Sequence, residues 1–160
     1  MSIWAALAGG FAGTLVLTTV LRTATELHLT RMDLPFLLGT ALTANRTGAK
    51  AIGYAAHFVM GLIFAAGYYA LFIAVGRHDW WLGTLFGLGH GLFAGTVLVN
   101  VLLPLVHPRM GSSLSDATTV ALLEAPGFLA RNYGRQTATV GLLAHLAYGT
   151  IIAVFLTLAG

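Results

Sequence analysis

The chain has 160 residues, of which 58% are apolar and only 8% charged, with a formal net charge of +3. So few charges cannot cover a water-soluble surface, and the length allows one domain (1–160), so the class is a polytopic membrane protein. The absence of Cys excludes disulfides, zinc–thiolate sites and thiol catalysis; with no basic patch or aromatic-basic module, the small positive balance fits loops lying on anionic lipid and excludes nucleic acid as a partner.

Residues 3–21 are uncharged and just long enough to cross a bilayer, and Arg22 closes the run. The opening Met1-Ser2-Ile3-Trp4 lacks the basic region of a secretory signal, so this run reads as a retained span. Its helix is expected to continue past the bilayer toward Glu26 and His28. In the segment 31–40, Pro35 suits a first helical turn, and a short interfacial helix is expected. The second span covers residues 51–76 and turns at Arg77-His78-Asp79 into the third, residues 80–106. Trp80 and Trp81 stand where an interfacial aromatic belt belongs. Asn100 and Pro104 interrupt the far end of that span. A polar loop, 107–135, contains its own apolar piece (117–123), and the fourth span, 136–160, ends the sequence. The fold class expected is therefore an all-α membrane protein with four transmembrane helices.

Arg22, Arg31, Arg46 and Lys50 fall in the first loop, Arg109, Arg131 and Arg135 in the third, and Arg77 in the second. The positive-inside rule then puts both long loops in the cytoplasm and both termini outside.

Span three carries Gly83, Gly87, Gly91 and Gly95, a stripe without side chains along one helix face that lets another helix approach closely. Span one carries a shorter version at Gly9 and Gly13. The two belong to a wider correspondence. Phe11-Ala12-Gly13-Thr14 returns as Phe93-Ala94-Gly95-Thr96, Gly53-x3-His57-x3-Gly61 returns as Gly141-x3-His145-x3-Gly149, and Arg31-Met32 returns as Arg109-Met110. Matches in the same order through helix, loop and helix read as a tandem duplication of a two-helix unit, about 1–76 and 77–160. Two spans per unit keep both copies in one orientation, which predicts a pseudo-twofold axis along the membrane normal. Spans one and three would then meet at the axis through their glycines, or be exchanged by it against spans two and four.

The phrases 31–40 (Arg31-Met32-Asp33-Leu34-Pro35 onward), His107-Pro108-Arg109-Met110, Glu124-Ala125-Pro126-Gly127-Phe128 and Asn132-Tyr133-Gly134 resemble those of a group of small, uncharacterised bacterial four-span membrane proteins. The resemblance implies a bacterial cytoplasmic membrane and supplies no activity, cofactor or catalytic residue.

Ionisable groups at depth are costly and face a bundle interior or cavity, which makes His57, His90 and His145 the leading candidates for function. Three readings are open for the paired Gly-x3-His-x3-Gly sets. Each His donates one N–H to the next helix; or His57 and His145, with Gly61 and Gly149 as flat slots beside them, hold a haem b between two imidazoles; or the histidines line a proton or solute path. His90 enters from the opposite side and lies nearer mid-membrane, where it and Asn100 are candidates for a proton relay. Helical depth alone does not bring His90 to the other two, and a three-imidazole metal site is not expected. Asn100 aligns with Thr18 in the repeat and suits a symmetric interhelical hydrogen bond. Four short helices rich in small residues are not expected to leave a channel. A pore would require a homo-oligomer meeting on an exposed Gly83 face.

In the loops, Glu26 and His28 are too close in sequence to chelate together on a helix, and Asp33 and Glu124 are expected to cap helices or pair with arginines. Ser112, Ser113 and Ser115 read as a polar loop and helix cap before Asp116. The Glu-x-x-His pattern of di-iron bundles is missing, as are the nucleophile, phosphate-loop and zinc-protease motifs. The leading expectation is a non-enzymatic membrane protein, a transport component or the membrane subunit of a larger assembly with a membrane-protein partner. The alternative is a redox protein binding haem or a metal through the paired histidines.

Overall fold

The computed structural model describes residues 1–110 and 123–160. Helix α1 spans Ile3–Glu26, α2 Leu34–Gly39, α3 Arg46–Val75, α4 Trp80–Phe93, α5 Leu103–Val106 and α6 Thr137–Leu158. A π-helical stretch, Ala94–Leu102, joins α4 to α5 without a break, so Trp80–Val106 is one rod of 27 residues. Among the described residues, four helices are long and apolar enough to cross a membrane: α1, α3, this rod and α6. The boundaries differ from the sequence expectation chiefly at α3, which begins at Arg46 because Asn45 caps it, accepting from the Gly48 N–H at 2.8 Å. At its far end Gly76, with φ 71°, makes the left-handed turn into the Arg77–Asp79 link.

Many large apolar side chains point outward. Trp4, Phe11, Ile63, Leu85 and Leu105 are all more than half exposed, whereas the closest helix approaches are made at Gly, Ala and Thr, with Leu17, Tyr148, Ile152 and Leu156 buried beside them. That inversion of the usual soluble pattern suits lipid as the outer solvent, with small residues admitting close backbones.

The two ends of the bundle are distinct. At one end, called here the hairpin face, Tyr69 donates to the carbonyl of Met1 and His78 meets Thr157; Trp4, Trp80 and Trp81 sit exposed at this end. At the other, the loop face, the long connections lock together. Thr30 bonds Thr137 at 2.6 Å, and the main chains of Arg31 and Tyr133 pair at 2.7 Å. Here α2 lies against α3, started by Asp33, whose carboxylate accepts from the Phe36 N–H at 3.0 Å, and by Pro35 in its first turn. Asp33 as a cap and Glu124 as the ion-pair partner of Arg31 (3.2 Å) match expectation. The apolar piece expected over 117–123, and Ser112, Ser113, Ser115 and Asp116, fall in the segment 111–122 outside the described residues.

Helices pack in the order α3, α1, α6, α4, each backbone against the next. The stripe of span three lies on α6. A Cβ at Gly83 would meet the Gly149 carbonyl carbon at 3.0 Å, and one at Gly87 would meet Leu146 Cα at 3.0 Å. Gly9 and Gly13 of α1 also face α6, at Ile152, Phe155 and Tyr148. The glycine stripes of spans one and three therefore each grip span four, and α1 and α4 do not pack on one another. Gly83 is buried in this contact, so it offers no exposed face for a homo-oligomer.

The α3–α4 contact is of another kind. No backbone approach closes it; rings fill it, with Phe72 against Phe86 (centroids 5.1 Å) and Phe64 against His90 (4.0 Å). An exact twofold would make this seam match the close α1–α6 contact, and the two differ.

Candidate functional site

The three intramembrane histidines come from three helices and line one cavity of about 80 Å³. That is well above the ~10–15 Å³ a cavity needs to hold a water molecule. His57 enters from α3, His90 from α4 and His145 from α6, with Tyr148, Thr14 and Thr137 as the other side chains bearing hydroxyls. The rest of the wall is apolar, including Leu17, Met60, Phe64 and Leu142. Small residues open this space: Gly61, Gly91, Gly95, Ala94 and Gly141 all border it.

His90 and His145 meet edge to face, ring centroids 4.8 Å apart and planes at 81°. Helical depth alone is not expected to bring His90 to the other two histidines; helix packing sets it against His145. Gly91 and Gly87 draw α4 onto α6 closely enough that the two imidazoles touch. Phe64 stacks on His90 at 4.0 Å, and the Tyr68 hydroxyl lies 3.4 Å from His90 Nδ1. Tyr148 then stands 5.6 Å from His90 and 5.5 Å from Tyr68, centroid to centroid, and donates to the Gly61 carbonyl at 2.5 Å. Sequence reasoning missed both tyrosines. Tyr68 lies 11 residues after His57 and Tyr148 three after His145, spacings that place each on the same helix face as its histidine.

Each paired histidine has one nitrogen engaged. His57 Nδ1 lies 3.3 Å from Thr18 Oγ1, which itself donates to the Thr14 carbonyl at 2.6 Å. His145 Nδ1 donates to the carbonyl of Gly141, one turn back on its own helix, at 2.7 Å. The equivalent histidines thus use different partners, one across helices and one within its helix.

The flat slots that a haem would need are filled. The space over Gly61 is taken by the Thr14 side chain, and that over Gly149 by the main chain of Gly83 and Gly87. The free imidazole nitrogens are of the right type for an axial ligand, but the faces beside them hold helices, and these residues do not fit a macrocycle. Among the described residues no group of three His, Asp or Glu side chains is placed to hold a metal ion.

Asn100 lies apart from the cavity histidines. Its amide donates to the carbonyl of Gly127 at 2.9 Å, and to those of Thr96 (3.0 Å) and Gly95 (3.2 Å) on its own helix. Occupying those two carbonyls, four residues before Pro104 removes an N–H, loosens the ladder into the π stretch. The expected symmetric bond to Thr18 does not form; Thr18 serves His57 instead. Gly127 begins a strap, Phe128–Tyr133, in which Leu129 and Ala130 both take left-handed φ values (53° and 55°) and border the cavity's loop end. Two consecutive residues in that region cost about 1–2 kcal/mol each.

The arginines of the repeated Arg-Met pair are reciprocal. Arg31 donates to the Asn132 carbonyl at 2.6 Å in the second half, and Arg109 donates to the Thr40 carbonyl in the first. His107 supports the latter, lying 2.9 Å from the Leu37 carbonyl through Nε2 and accepting from the Arg109 N–H. Comparison of the chain with family models, with curated proteins and with solved structures finds no match.

Proposed function

We propose that this chain is a small multi-pass membrane protein of non-enzymatic type, a transport component that moves protons or a proton-coupled small solute through its histidine cavity. The observation that carries this reading is the convergence of His57, His90 and His145, from three different helices, on one shared cavity. Ionisable side chains placed at such depth mark ion and proton paths. Imidazole is the side chain suited to passing a proton near neutral pH. No acid, base and nucleophile are grouped among the described residues, which favours transport over catalysis.

Within this reading the membrane is the bacterial cytoplasmic one. Both long loops face the cytoplasm and both termini the outside, as the seven basic residues of the loops against one in the hairpin favour. The two halves descend from one duplicated two-helix unit, supported by the reciprocal bonds of Arg31 and Arg109 across the halves. The short α2, with Leu34 and Leu37 buried and Asp33 capping its start, serves as an interfacial element. The haem-binding alternative is not favoured, because the flanking glycine faces are filled.

The test is proton flux into liposomes bearing the purified protein, followed with an entrapped pH-sensitive dye. The wild-type protein is expected to dissipate an imposed gradient, and His90→Phe to slow that at least tenfold. Equal rates for wild type, variant and empty liposomes would sink the transport reading. Co-purification of a stoichiometric membrane partner alongside those equal rates would assign the chain as a subunit instead.

A further inference from the structure

A second, smaller cavity of about 20 Å³ lies at the loop face. Its polar wall is Arg22, Thr25, Asp33, Tyr54 and Thr18, and it ends at His57. Leu21, Met32, Leu34 and His57 border this vestibule and the larger cavity alike, so these four side chains are the partition between them. Three are hydrocarbon or thioether, and His57 alone can carry a proton. The hydroxyls on its two sides are separate: Thr18 borders only the vestibule and Thr14 only the inner cavity. His57 Nδ1 addresses Thr18, so the ring is read from the vestibule side by that nitrogen.

We propose that His57 is the gate between a water-accessible vestibule at the loop face and the inner cavity, and that protons reach His90 and His145 through its imidazole from that face alone. This rests on the transport reading above. A proton taken up at one ring nitrogen and another released from the opposite nitrogen carries one charge past the partition and returns the ring to neutral, as its other tautomer. Rotation of the ring restores the starting tautomer and leaves the charge across; return transfer would carry it back. Toward the hairpin face the route is blocked by Tyr68, Phe72 and Phe86, whose rings lie 5.1–6.4 Å apart. The titratable and charged groups around His57 are Arg22 on α1, Asp33 before α2, Tyr54 on its own helix, His90 on α4, and His145 and Tyr148 on α6.

The chain contains no Cys, so single thiols report water access without background. Thr18→Cys and Thr14→Cys would be treated with silver ion from one face of oriented vesicles, then denatured and labelled with a fluorescent maleimide to count surviving thiols. Thr18→Cys should be blocked from the loop face and spared from the hairpin face, and Thr14→Cys should be spared from both. In a His57→Ala background Thr14→Cys should become blocked from the loop face, at least tenfold faster than with His57 present. In 15N-histidine protein, the His90 and His145 signals should follow a pH step on the loop face, and His57→Phe should remove that response. Block of Thr14→Cys with His57 in place, entry from the hairpin face, a spared Thr18→Cys, or an unchanged response in His57→Phe would each overturn the proposal. Absent flux with the thiol pattern and pH response as expected would instead reject the transport reading and leave the gate assigned.

Discussion

The hydroxyl of Tyr148 on α6 donates to the carbonyl of Gly61 on α3 at 2.5 Å, tying two helices whose backbones barely approach. Both groups are buried, and Gly61 has no side chain to shield its carbonyl. Tyr148→Phe keeps the ring and its contacts with Tyr68 and His90 and loses the bond. Interhelical hydrogen bonds in membranes average about 0.6 kcal/mol and reach about 1.7. The variant is therefore expected to unfold earlier in a denaturing-detergent titration by an amount in that range. An unchanged midpoint would show that the bond contributes nothing net.

The glycines divide into two groups with opposite expected responses. At Gly149 a Cβ would strike the main chain of Gly83 and Gly87, which cannot swing aside as a side chain can. Gly149→Ala should destabilise by about 1–3 kcal/mol, the scale of overpacking. Gly67 and Gly89 have nothing within 4 Å of the corresponding position. There Ala should be neutral or stabilising by up to about 1 kcal/mol through helix propensity. Thermal unfolding in one detergent separates the groups; the same sign at all three positions would contradict the packing described.

Ala130 is 4% exposed and left-handed, with φ 55°. Glycine adopts that conformation without the Cβ penalty of about 1–2 kcal/mol, and the loss of a single methyl offsets about 0.8 kcal/mol of that. Ala130→Gly is expected to leave the protein as stable as wild type or slightly more so. A clear loss of stability in the same unfolding assay would mean that the strap is not held in this conformation.

Tyr133 is half-buried at the loop face, donating to the Glu124 carbonyl at 2.6 Å. Burial raises its phenol above the ordinary value of 10.0, the neighbouring Glu124 carboxylate adds to the rise, and Arg31 opposes it. A folded-state value above the unfolded one contributes stability below pH 10 that is lost as pH climbs through the raised value. As pH climbs through 10 and above, the wild type should lose more stability than Tyr133→Phe. Parallel curves for the two proteins over that window would remove Tyr133 as the cause.

The four spans were legible because lipid demands runs of apolar residues whose length the bilayer sets. The histidines were legible because an imidazole among Gly and Leu at depth is out of place there. What they do with one another was not. His90 meets His145 because Gly87 and Gly91 bring α4 onto α6, and which helix a glycine stripe selects depends on shapes that a one-dimensional pattern does not encode. Gly83 could as well have faced a second copy of the chain as Gly149. Asn100 read as an intramembrane relay group, and its bond to Gly127 depends on a loop strap 27 residues later in sequence folding back beneath it.

The mixed construction of the walls has a mechanical consequence. Backbones locked through glycine resist shear, because each residue sits in a notch of its neighbour; rings in contact slide and reorient with small changes in energy. The run from α3 through α1 and α6 to α4 is then a stiff clasp, and the ring-filled side between α3 and α4 is its compliant jaw. Squeezing or relaxing the surrounding lipid changes the spacing there first. Phe64 and His90 form part of that jaw and also line the inner cavity, so any movement of the jaw alters the space beside the histidines.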